Sequence, residues 1–94
     1  MSAFVNYFNE FIWRFLMQQF QIVIRSLAQI QDFVRLAMEQ PFDIMVGNDR
    51  QNINGKDIVG MFSLDYRYPI RVSSSCTPEE FDRFRQSAAD FITE

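Results

Sequence analysis

The sequence predicts an α+β domain, an antiparallel sheet of four strands with helices packed on one side. Apolar spacing along the chain alternates between a period of about 3.6 residues and a period of two. Each period-two stretch carries one apolar face, and each long helical stretch one apolar stripe. The order after residue 19 is strand, helix, strand, strand, short helix, strand, helix. Elements with a single apolar side must bury it against each other, and a sheet covered on one face is the simplest arrangement for this order. Residues 20–94 form this domain, and residues 1–19 form an N-terminal aromatic-rich amphipathic helix.

Residues 3–18 are read as that helix. At 100° per residue, Phe4, Phe8, Phe11, Ile12 and Phe15 share one face, which Val5, Tyr7 and Leu16 widen. Asn6, Glu10 and Arg14 lie opposite. Phe20, Ile22 and Ile24 then alternate with Gln21, Val23 and Arg25, which predicts a strand. From Gln29 to Met38 the stripe Ile30, Phe33, Val34 and Ala37 predicts a helix that Pro41 ends or follows. Phe42, Ile44 and Val46 mark a second strand, Gly47-Asn48-Asp49 a turn, and residues 50–53 the returning strand. Asn54-Gly55 breaks it, and Asp57 is placed to cap a short helix. Met61 in that helix is expected to face the core.

Residues 63–68 are a connection, and Pro69 precedes a fourth strand in which Ile70 and Val72 alternate with Arg71 and Ser73. Thr77-Pro78-Glu79-Glu80 is the clearest local signal, a capping box with proline at the first helical position. The helix it opens carries Phe81, Phe84, Ala88 and Phe91 on one stripe, with Ile92 at its edge.

Composition restricts the function classes. The chain is 48% apolar and 22% charged, enough to build a core and too apolar for intrinsic disorder. A net charge of −3 with scattered Lys and Arg argues against nucleic acid, which needs a basic face. Cys76 is the single cysteine and there is no histidine, so neither an internal disulfide nor an ordinary zinc site can be assembled. No cofactor or metal is expected. The unpaired thiol and the absence of an early basic cluster point to a soluble cytoplasmic protein. No nucleophile–base pair, Gly-rich phosphate loop or carboxylate dyad is present, so the chain is expected not to be an enzyme.

The segment Asp57-Ile58-Val59-Gly60, followed by Ser63-Leu64, resembles the Ser-Ile-Met-Gly-type motif of HPr, the histidine-containing phosphocarrier of the bacterial sugar phosphotransferase system. The element order from residue 20 to 94 is similar to that family's, which implies an HPr-like open-faced sandwich. The resemblance extends backwards to the phosphorylation loop, Gly-x-His-Ala-Arg-Pro-Ala in the family and residues 24–30 here. Ser26 stands where the histidine would be, Ala28 where the arginine would be, and Gln29 replaces the proline. The loop 65–69 is about two residues shorter than in the family.

The resemblance therefore implies a phosphocarrier scaffold with a degenerate active site. A serine phosphoester holds its phosphoryl group too stably for relay, and the hydroxyl would need a base. Ser26 reads as a loop or helix-capping residue. In many family members the position of Asp57 is a regulatory serine, so its carboxylate reads as an N-cap and also as a fixed negative charge resembling the phosphorylated state. Ile58, Val59 and Phe62 match the residues with which the family docks onto enzymes and regulators. A non-catalytic interaction or regulatory module follows, possible partners being phosphotransferase components or a second copy of the chain. The alternatives are a phosphocarrier using Ser26 and a structural or membrane-associated protein. The helix bearing Phe4, Phe8, Phe11 and Phe15 has no family counterpart; it can cover its own domain, pair with another chain or lie on a membrane. Arg14 as its only basic residue argues against the last.

Overall fold

The computed structural model describes residues 18–92. The expectations for residues 3–17, including Phe4, Phe8, Phe11 and Phe15, lie outside the described residues. The described chain runs β1 (Gln18–Ile22), α1 (Leu27–Met38), β2 (Met45–Gly47), β3 (Asn52–Asn54), α2 (Ile58–Phe62), β4 (Ile70–Ser74) and α3 (Pro78–Ser87), then a 3-10 turn (Ala89–Phe91). All strand pairs are antiparallel, in the order β1-β4-β2-β3. This is the α+β architecture expected.

One lateral row across the sheet explains the core. Phe20 lies opposite Val72, Val72 opposite Val46, and Val46 opposite Ile53, all on the covered face. Phe20, Val72 and Val46 are buried, and Ile53 is half-buried against the same cluster. The neighbouring row, Gln19, Ser73, Met45 and Asn54, faces the other way and is exposed or half-exposed. The side chain that alternates with a core residue in a strand must point to the opposite face, so register alone separates the two environments.

Two helices supply the other half of the core. α1 buries Ile30, Phe33, Val34 and Ala37, the stripe its spacing predicts. α3 buries Phe81 and Phe84, and Ala88 follows them inward. Phe84 packs at 6.1 Å from both Phe33 and Phe42, and Phe20 stands 5.2 Å from Phe81. Tilted and edge-to-face rings of this kind contribute about 1 kcal/mol per pair beyond area burial. The Thr77 hydroxyl accepts from the Glu80 N–H at 3.1 Å while the Glu80 carboxylate accepts from the Thr77 N–H at 3.1 Å, completing the capping box.

Several boundaries differ from the periodicity reading, each for a hydrogen-bonding reason. β1 begins at Gln18, the last residue of the helix expected over 3–18, because Gln18 and Gln19 pair with Ser74 and Ser73. It stops at Ile22 because Ile70 is the partner there and Pro69 beyond it has no N–H to give. The Val23 N–H turns instead to the Phe91 carbonyl at 2.7 Å, while Ile24 stays buried. α1 starts at Leu27, two residues earlier than the reading from Gln29, because Ser26 caps it there: its hydroxyl accepts from the Gln29 N–H and its carbonyl from the Ile30 N–H. The β2–β3 hairpin pairs Gly47 with Asn52, so its strand residues fall later than the apolar alternation indicates. A Cβ on Gly47 would lie 2.0 Å from the Gln51 carbonyl oxygen, and only glycine permits that close return.

Candidate functional site

Two helix starts hold the residues singled out in the sequence. At the first, Ser26 is extended and its hydroxyl accepts from the Gln29 N–H at 3.2 Å. The Gln29 side-chain oxygen in turn accepts from the Arg25 N–H. Ser26 and Gln29 thus form a reciprocal cap, displaced by one residue from the usual box, in which the side chain reaches the N-cap N–H itself. Gln29 does structural work that proline, with no N–H for Ser26 to bind, would not. Ser26 and Ala28 are both exposed. No described carboxylate hydrogen-bonds the Ser26 hydroxyl, and among the described residues no cluster of metal-ligating side chains occurs.

At the second start, the Asp57 carboxylate accepts from the Val59 N–H at 3.1 Å. A Cβ on Gly60 would stand 3.0 Å from Asp57 Oδ2 and 3.3 Å from Ile53 Cδ1, so glycine gives the cap and the hairpin room beside the helix. Five residues are too few to form a helix unaided, and tertiary bonds secure both ends of α2. Before it, the Lys56 ammonium donates to the Gln40 carbonyl at 2.7 Å, tying the turn to the segment that follows α1. After it, the Ser63 hydroxyl donates to the Gly60 carbonyl at 2.6 Å, and Gln51 Nε2 donates to Ser63 Oγ at 3.3 Å. The Tyr66 hydroxyl donates to the Met61 carbonyl. Burial pushes that hydroxyl up to about 12 from its ordinary pKa of 10.

This anchoring divides the apolar residues of α2. Met61 is fully buried and Ile58 is half-buried against the core. Val59 is 75% exposed and Phe62 44% exposed. Positions three apart share a helix face, so Ile58 and Met61 hold the helix down while Val59 and Phe62 point away. The i to i+4 pair Ile58 and Phe62 is therefore divided between the two sides. The Lys56 and Tyr66 clamps carry no periodic signal, and sequence reasoning missed them. Cys76 is half-buried behind β4, packed against the core.

Beside α2, the hairpin tip and the loop leading to β4 enclose an open groove of about 550 Å³. In this loop Asp65 and Arg67 form a bidentate pair with contacts of 2.8 to 3.2 Å. Hydrogen bonds from the Arg67 side chain, then from its N–H, lower the Asp65 pKa from 3.8 to about 2. The Arg67 guanidinium lies 5.8 Å from the centre of the Tyr68 ring.

Among the described residues no helix is long and apolar enough to cross a membrane. Comparison of the chain with known protein families, curated proteins and solved structures finds no match, so geometry and chemistry alone bear on its function.

Proposed function

We propose that this chain is a non-catalytic interaction module of the HPr type, which docks onto a protein partner through the outer side of α2. The observation that carries this reading is the division of that helix. Val59 and Phe62 project two apolar side chains from a helix that Met61, Lys56 and Tyr66 hold in place. An exposed apolar pair on a rigid element loses little conformational entropy on docking, which is what an interface anchor requires.

The other helix start supports the absence of phosphate relay. Ser26 is used as a cap, Ala28 supplies a methyl where a cation would be needed, and the chain has no imidazole. Positioning and positive charge carry most phosphoryl-transfer catalysis; Arg25 is the one cation adjacent to Ser26, and no described base hydrogen-bonds the Ser26 hydroxyl. Phosphotransferase components and the regulators that HPr meets are the first partners to test. Titration of the full chain against them should show binding that Val59→Ala plus Phe62→Ala weakens about tenfold, the loss of two modest anchors. Unchanged affinity in that variant would remove the surface. A gain of phosphate mass with phosphoenolpyruvate and the general phosphotransferase enzyme would overturn the non-catalytic reading.

A further inference from the structure

We infer that the groove between the β2–β3 hairpin and the loop before β4 binds a small organic anion with an aromatic ring, separately from the α2 surface. Its walls include Asp49, Arg50 and Gln51 from the hairpin, Tyr68 and Pro69 from the loop, and Ile70 at the start of β4. A volume of about 550 Å³ is within the range of small-molecule sites. Both acids at the groove are already engaged. Asp65 is held by the Arg67 fork, and Asp49 lies 3.8 Å from the Arg71 guanidinium. The Arg50 guanidinium has no carboxylate partner among the described residues, which leaves one uncompensated cation on this wall of an acidic protein.

Arginine presents a planar fork that suits carboxylate or phosphate oxygens. Across the groove, Tyr68 is 67% exposed and Pro69 is exposed beside it. Together they form an apolar wall against which a ring can lie, and aromatic rings pair favourably with tyrosine. The ligand class thus has two parts, an anionic group for Arg50 and a flat apolar body for Tyr68.

Phenyl phosphate is the simplest probe that has both. Titrated into the uniformly 15N-labelled full chain, it should give saturable amide shifts confined to residues 48–51 and to Arg67, Tyr68 and Ile70. Inorganic phosphate should bind about tenfold more weakly, for want of the stacking contact. Arg50→Gln should weaken phenyl phosphate about tenfold by removing a charge-assisted hydrogen bond, with the thermal midpoint unchanged because Arg50 is exposed. Tyr68→Ala should remove the preference over inorganic phosphate. Shifts that never saturate, that spread to Arg25 and Arg83, or that titrate with unchanged affinity in Arg50→Gln would overturn the site. Equal binding of the two probes would overturn its aromatic part.

Discussion

The starts of α1 and α2 are capped by the same physics and differ in what they leave on the surface. At α1 the Ser26 oxygen receives the Gln29 N–H; at α2 the Asp57 carboxylate receives the Val59 N–H. Each satisfies a donor that a helix end would otherwise leave open. α1 is twelve residues long and secured by a buried stripe of four, so its cap is one contribution among many. α2 is five residues long, and its own apolar residues are divided between holding it down and pointing out. A long helix can spend its inner face entirely on stability. In a short one, outside bonds from Lys56, Tyr66 and Gln51 take over that task, which leaves Val59 and Phe62 free.

Four substitutions test this contrast, the largest expected effect first. Met61→Ala should cost about 3 kcal/mol in urea unfolding, since it empties a fully buried site beneath α2. Val59→Ala on the opposite side should cost less than about 0.5 kcal/mol, as exposed substitutions do. Equal losses would mean that the two sides are not distinct. Ser26→Ala should cost about 1 kcal/mol by removing its cap. The loss should appear in the equilibrium transition alone, with no effect on partner affinity. A matching loss of partner affinity would make the α1 start part of the docking surface.

The fourth substitution concerns the clamp behind α2 and is read as a function of pH. The Tyr66 hydroxyl is raised from 10 to about 12 by burial, so the folded state holds this proton more tightly than the unfolded chain does. Its contribution is complete below pH 10 and is lost as pH rises from 10 towards 12. Once ionised, the oxygen cannot donate to the Met61 carbonyl. Thermal melts across that window should therefore show an alkaline loss of stability that Tyr66→Phe makes shallower. An identical pH profile in the variant would show that the clamp is not what holds α2.

Much of this is legible in the sequence itself. The stripe Ile30, Phe33, Val34 and Ala37 and the box from Thr77 to Glu80 are local patterns, and each recurs in the fold where its spacing places it. So does Asp57 as a cap. Cap chemistry acts within a few residues, and helical periodicity requires only that one side meet a core. The strand ends were less legible. Ile22 closes β1 because of Pro69, which is 47 residues away in sequence, and β3 takes its register from the return at Gly47.

The sequence by itself determined the class of fold, the two long apolar stripes, the caps and the lack of any imidazole. Tertiary structure alone decided which side of α2 is free, because Ile58, Val59, Met61 and Phe62 are all apolar and hydropathy cannot rank them. Their difference comes from the Lys56 bond to Gln40, the Tyr66 bond to Met61 and the packing against α1, all of which join parts of the chain with no shared local pattern. The groove at Arg50 and Tyr68 has the same origin. Its two walls lie about eighteen residues apart, and the pairing of β2 with β4, with Gly47 opposite Arg71, brings them together.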